Sequence, residues 1–252
     1  MRHPQQNALA TVIRSLAADK SPACLLDTQG VFLFVNDAWD RHAIANGGAP
    51  ACLGASLIGT AWLRHIRGEE VRQRHAALFA RALRAHGPHP RPVIQVGESN
   101  TPTTAALVST RLELVLQGAE PLAIRIVHTT IRERPIAEVY DLVQGSADTY
   151  RHPGGEIIQC SCCRRVRDPA EPERWDFVPA LLAEPPTAGQ TLCELCGQLH
   201  YIEIEPALGE LTHPVIPHPA ISGQAQDGCA AHAGHGRGDE DRPVCSLSGR
   251  AV

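Results

Sequence analysis

Four cysteines carry the strongest chemical signal in this chain. Cys160-Ser161-Cys162-Cys163 is followed thirty residues later by Cys193-Glu194-Leu195-Cys196. With Cys160 and Cys163 as the first pair, the pattern is C-x2-C…C-x2-C. A turn of that spacing points two thiolates into one tetrahedron, with a Zn–S bond of ~2.3 Å, and two such turns close a structural site. Four thiolates leave no open position for a reactive water, so the predicted role is structural zinc rather than catalysis. Tetrahedral S4 also suits an iron–sulfur centre. Arg164, Arg165 and Arg167 are placed to offset the net negative charge of four thiolates around a divalent ion. Cys162 is an extra thiol inside the first turn. It is expected to be an exposed bystander, and its alternative reading is a redox thiol that swaps into the site or forms a disulfide that ejects the metal. His200, four residues after Cys196, competes as a ligand at lower rank.

Other residues carry weaker chemistry. His75 falls on the apolar face of a long helix and His65 just before it, and a neutral imidazole is a good haem ligand. The competing reading makes each a core or edge histidine bonded to the backbone. Cys24 and Cys52 read as small buried hydrophobes. His213, His218, Cys229, His232, His235 and Cys245 form a tract that binds metal loosely if at all. No G-x-S-x-G, H-E-x-x-H, P-loop or G-x-G-x-x-G occurs. Cys193–Cys196 lacks the βαβ context of a dithiol oxidoreductase. The chain is therefore read as a protein other than an enzyme.

These residues need elements to hold them. Leu9, Val12, Ile13 and Leu16 space as an amphipathic helix over 7–18. Ala23–Leu26 and Val31–Val35 flank the turn Asp27-Thr28-Gln29-Gly30 and predict a hairpin. Asn36 or Asp37 can cap a short helix through Ala45, which Asn46-Gly47-Gly48 stops. Residues 49–67 read as irregular. A longer helix over Glu69–His86 places Val71, His75, Leu78, Phe79, Ala82 and Leu83 on one face. Strands are predicted at Pro92–Val96, Val108–Leu116 and Leu122–Thr130, where leucines and isoleucines alternate with polar residues. Pro135, Ile136, Val139, Tyr140 and Val143 predict a further short amphipathic helix.

The order resembles a PAS domain over roughly residues 8–143. Ala23–Gly48 looks like that family's opening hairpin and following "VN-x-A-W/F" helix, and Ala123–Leu142 is similar to its closing strand and exit. The usual aspartate of the exit is replaced by Thr129 or Thr130. The resemblance implies sensing: a small cavity between sheet and long helix, with terminal helices transmitting the change. A photoactive flavin needs a cysteine in an "N-C-R-F-L" setting, which Cys52 lacks. The cysteine segment resembles a small module that follows PAS domains in bacterial sensors. Cys160, Cys163, Arg164, Val166, Arg167, Trp175, Val178, Leu181, Leu182, Cys193, Cys196 and Tyr201 fall into its pattern. It departs at Ala188-Gly189-Gln190 and at Glu194, and neither change removes a ligand.

Composition bounds the rest. The 252 residues carry 23 Lys and Arg against 27 Asp and Glu, a net charge of −4. That excludes a protein held to nucleic acid by bulk positive charge. Aromatics at 4% argue against a base-stacking surface. No apolar run reaches the ~20 residues of a membrane span, and the start is a poor signal peptide, so a cytoplasmic protein is expected. Nine cysteines in a reducing compartment point to metal or redox chemistry.

The fold expected is thus α+β: a PAS-like five-stranded antiparallel sheet with flanking helices, a small zinc-ribbon-like module and a disordered tail. Its segments are an N-terminal helix (1–20), the sensor domain (21–131), a linker helix (132–153), the four-cysteine module (154–205) and the tail (206–252). The function expected is sensing of a small ligand or redox cue, signalled through a protein partner, with a homodimer as the working form. A nucleic-acid-binding zinc ribbon, built on Arg164, Arg165, Arg167 and Arg174, is the first alternative, and a haem-based gas or redox sensor the second.

Overall fold

The computed structural model describes residues 4–46, 48–85, 90–182 and 188–201. The expected disordered tail and its histidines and cysteines lie outside the described residues. So does the side chain of His200. Among the described residues, no helix is long and apolar enough to cross a membrane.

Helix α1 (Pro4–Ala17) leads into strands β1 (Ala23–Leu26) and β2 (Phe32–Val35), then α2 (Asp37–Ala45) and the single turn α3 (Gly54–Leu57). Helix α4 (Glu69–Leu83) follows, and then β3 (Val93–Glu98), β4 (Thr104–Gln117) and β5 (Glu120–Pro135). These strands form one antiparallel sheet in the order β2-β1-β5-β4-β3. The terminal strand β5 thus enters between β1 and β4, so the sheet is closed by its last strand rather than by its neighbours in sequence. This is the α+β architecture, a five-stranded antiparallel sheet with flanking helices, that the alternation and the helix spacing predict.

Each face of the sheet has its own cover. The inner face carries Cys24, Leu26, Leu112, Leu114, Ile124 and Ile126 against Trp39, Leu57, Trp62, Leu78 and Ala82 from the helices. The outer face carries Ala23, Leu25, Ala123 and Val127 against Leu16 of α1, with Leu9, Val12 and Ile13 beside it. One asparagine joins these layers. The Asn36 Oδ1 accepts from the Trp39 and Ala23 amides at 2.9 and 3.0 Å, which caps α2. Its Nδ2 donates to the carbonyls of Leu16, Asp19 and Ser21, which closes the end of α1.

The structure corrects one expected element. No α-helix forms over the expected linker, residues 132–153: β5 runs on to Pro135, Ile136–Glu138 makes a single 3-10 turn, and the chain continues through turns and isolated bridges. Strand β4 correspondingly begins at Thr104 and pairs with Pro135. The hairpin therefore overhangs the sheet by several residues, and the cysteine module sits on that overhang. Ala105 and Ile136 pack with Phe177 and Leu182 of the module in one buried cluster.

The module is a second, four-stranded sheet in the order β8-β7-β6-β9. Its strands are β6 (Ile157–Cys160), β7 (Val166–Arg167), β8 (Trp175–Asp176) and β9 (Ala188–Thr191), with helix α5 (Glu194–Tyr201) closing the segment. Tyr150, Ile157, Val166, Val178 and Leu181 form its own small core.

Candidate metal centre

The β6–β7 hairpin puts Cys160 at the end of one strand and Cys163 in the tight turn that follows. The turn is closed by the Arg164 amide, which donates to the Cys160 carbonyl at 3.1 Å. Arg164 takes φ of +68°, a left-handed conformation that costs a branched-off Cβ some strain. Strand β9 lies parallel to β6 with Thr191 opposite Cys160, so Cys193 arrives two residues later beside the same turn. Cys196 sits in the first turn of α5. The sulfurs of Cys160, Cys163, Cys193 and Cys196 all lie within 4.8 Å of one another, and all four residues are buried. The Cys163 and Cys193 sulfurs are 3.7 Å apart. A zinc tetrahedron with bonds of ~2.3 Å has an edge of about 3.8 Å, so the spacing fits. These four cysteines can hold a metal ion.

The shell around the sulfurs is made of donors. The Cys193 amide donates to Cys160 Sγ at 3.4 Å and the Cys196 amide to Cys193 Sγ at 3.5 Å. Arg165 reaches two ligands at once: Nε donates to Cys163 Sγ and Nη2 to Cys193 Sγ, each at 3.3 Å. Burial works against the Arg165 charge, yet the Cys163 and Cys193 sulfurs push its pKa well above the usual guanidinium value.

Of the three arginines predicted to serve the sulfurs, Arg165 does so directly. Arg164 is buried, and its Nη1 donates to Gln159 Oε1 at 3.2 Å. Burial lowers its pKa to about 10, against the pull of the Cys160 and Cys162 sulfurs. Arg167 turns away to the Pro172 carbonyl, at 2.7 Å. Arg174 pairs with Asp176 at 2.9 Å. The basic patch anticipated from Arg164, Arg165, Arg167 and Arg174 is thus spent largely on internal contacts.

Cys162 is not exposed. It is 7% accessible and lies within the same apolar cluster as the four ligands. Its thiol is in hydrogen-bonding contact with Cys160 and Cys196. The physical reason is packing: Val71, Leu192 and Cys196 share its buried cluster.

The two histidines read as candidate haem ligands are each engaged by neighbours in the fold. His65 Nε2 meets Thr60 Oγ1 at 2.7 Å, and that hydroxyl already donates to the Leu57 carbonyl at 2.7 Å, so the imidazole is the donor. Its ring lies edge-on to Phe32. His75 Nδ1 donates to the Val71 carbonyl at 2.8 Å, and its ring stands edge-on to Trp62 at 5.4 Å. Burial lowers both pKa values. Both side chains are half-buried.

Two groups escaped the sequence reading. His128 follows Ile124 and Ile126 on the inner face of β5. Its Nδ1 meets Thr110 Oγ1 at 2.9 Å, while its buried Nε2 has no partner among the described residues. The second is a junction centred on Tyr140. Its hydroxyl donates to Glu98 Oε2 at 2.5 Å, its ring stacks on Phe177 at 5.1 Å, and the Arg165 guanidinium lies over the ring at 5.6 Å. Burial, then the bond to Glu98, push the Tyr140 pKa up. Buried Asn100, just past β3, donates to the Tyr140 hydroxyl at 3.3 Å and to the Cys163 carbonyl at 3.0 Å. The periodicity of residues 135–143 signalled burial at Ile136, Tyr140 and Val143 but also at Val139, which is exposed, and it assigned the segment to a helix.

A second joint lies at the start of α4. Val71 and Ile66 pack into the cysteine cluster. Thr191 Oγ1 donates to Glu70 Oε2 at 3.0 Å. Gly68, at φ of +79°, lies so close to β9 that a Cβ would stand 2.5 Å from the Gln190 carbonyl oxygen.

No family model matches the chain, and no curated protein matches it. Among solved structures it is similar to the PAS domain of BvgS from Bordetella pertussis, at 17% identity with a TM-score of 0.41, covering 53% of this chain and 91% of that one. It is also similar to the PAS-B domain of Drosophila melanogaster Cycle with bound ethylene glycol, at 13% identity and a TM-score of 0.32, covering 44% and 99%. A PAS domain of an HTR-like protein from Haloarcula marismortui is similar at 10% identity and a TM-score of 0.30, covering 50% and 93%. Likenesses of this degree concern the fold alone, and the fold assignment rests on the strand order and packing given above.

Proposed function

We propose that this chain is a PAS-type sensory protein of the cytoplasm whose four-cysteine centre holds structural zinc and fixes the sensor's exit segment. One observation carries the reading: the metal turn and the sheet share side chains at two joints. Asn100 and Tyr140 tie the end of β3 to the Cys163 carbonyl, and Gly68, Glu70 and Val71 tie the start of α4 to β9. A shift in either body must therefore move the other, which is what a transmitter needs. Zinc when bound would fix the four thiolates; Arg165 and the amides of Cys193 and Cys196 would hold those sulfurs in place.

The cue is proposed to be a small ligand between the sheet and α4. The orphaned Nε2 of His128 supports that seat, because a buried ring nitrogen without a partner costs free energy that a ligand's polar group would recover. The output is proposed to pass by protein contact, with a homodimer as the working unit.

Hydrogen exchange on the full chain, with and without a chelator, tests the coupling. Removal of the metal is expected to expose amides of 155–201 and, in the same transition, those of 66–72 and 98–104. Loss of protection confined to 155–201 would contradict the proposed transmission.

A further inference from the structure

The geometry points to Cys162 as an oxidant-reactive thiol whose disulfide with a metal-binding cysteine releases the metal. This inference rests on the metal reading above. Five buried cysteines crowd one site, yet a tetrahedral ion takes four. The four sulfurs that converge are those of Cys160, Cys163, Cys193 and Cys196. Cys162 is the fifth, packed in the same cluster with its thiol touching Cys160 and Cys196. A structural site needs no such neighbour. The thiol has no separate core to fill, since Val71, Leu192 and Trp175 already supply the apolar wall.

A peroxide is the oxidant class that this arrangement suits. The Cys162 sulfur takes one oxygen from the peroxide, giving a sulfenic acid and water as the O–O bond breaks. The thiolate of Cys160 or Cys196 then attacks that sulfur; the S–S bond forms and hydroxide leaves. Two electrons pass from the two sulfurs to the peroxide. A bound ion would be left with three of its four thiolates. The β6–β7 turn then loses the ion that fixes it, and the carbonyl of Cys163 with it, which is where Asn100 connects the sheet.

The test uses the full metal-loaded chain, hydrogen peroxide and a chromophoric zinc chelator. Metal per chain is measured first, before any oxidant. Wild-type protein is expected to release its metal with a disulfide mapped by mass spectrometry to Cys162 and either Cys160 or Cys196. Cys162→Ser is expected to carry the same metal and to release it at least tenfold more slowly. Release from Cys162→Ser at the wild-type rate would overturn the proposal. So would wild-type disulfides that link only the four ligands, a readout that holds even if the variant folds poorly. A chain that carries no metal before oxidation overturns the metal reading itself, and this proposal with it.

Discussion

Arg165 places two donors on two sulfurs and its flat face on Tyr140, so the charge that steadies the site also belongs to the joint. Arg165→Ala is expected to weaken metal binding about 10- to 100-fold, with Arg165→Lys between, as read by competition with a chromophoric chelator. Unchanged affinity in Arg165→Ala would contradict the role given to it. His128 makes a different prediction. Burial first, then the nearby His42 and His75, lower its pKa to about 3. An unfolded histidine takes up its proton near pH 6.5, so between those values the unfolded chain binds a proton that the folded one refuses. The stability tied to this neutral ring is complete above pH 6.5 and is lost as the pH falls below it, at up to about 1.4 kcal/mol per pH unit. Urea midpoints from pH 7 to 5 should therefore fall less steeply in His128→Gln than in wild type, and equal slopes would refute this. The convergence of Cys160, Cys163, Cys193 and Cys196 was legible in the sequence because C-x2-C spacing encodes a local turn. The partners of His128 and Tyr140 were not, because they come from distant strands and no spacing along the chain records them.

At the scale of elements, Gly68 decides how α4 meets β9. It supplies both a positive φ and the absence of a Cβ against the Gln190 carbonyl. Gly68→Ala should cost about 1–3 kcal/mol and loosen the module, measured by thermal melts with the metal present; a change under about 0.5 kcal/mol would show the joint to be soft. Asn36→Ala removes a helix cap and leaves three carbonyls with one fewer donor, for an expected loss of at least about 2 kcal/mol. A wild-type melting curve in that variant would contradict the account of α1, β1 and α2. The strands and helices around it were readable because alternation and 3.6-residue spacing are local. The error at 136–143 is instructive: Ile136, Tyr140 and Val143 do turn inward, but Val143 pairs its amide with the Phe177 carbonyl at 3.0 Å, and tertiary pairing outweighed helical propensity. Val71 shows the same limit. Its apolar face was evident, whereas its partner is the metal cluster and not the core that Leu78 and Ala82 enter.

In the whole molecule, the cysteine module packs on both the β4–β5 overhang and the start of α4, a clamp rather than an appendage. Its own core is five buried residues around Tyr150 and Ile157, too little area to fold fifty residues without a crosslink or an ion. A bound ion would therefore support the module, which packs on the overhanging β4–β5 hairpin and the start of α4. Everything in that chain of dependence begins with the metal. The direct measurement is metal content by mass spectrometry together with the visible spectrum, on full-length protein purified without a histidine tag. One zinc per chain in a colourless sample, lost in Cys163→Ser, is the predicted result. A metal-free chain that stays fully folded, or the broad absorbance of an iron–sulfur centre, would contradict it.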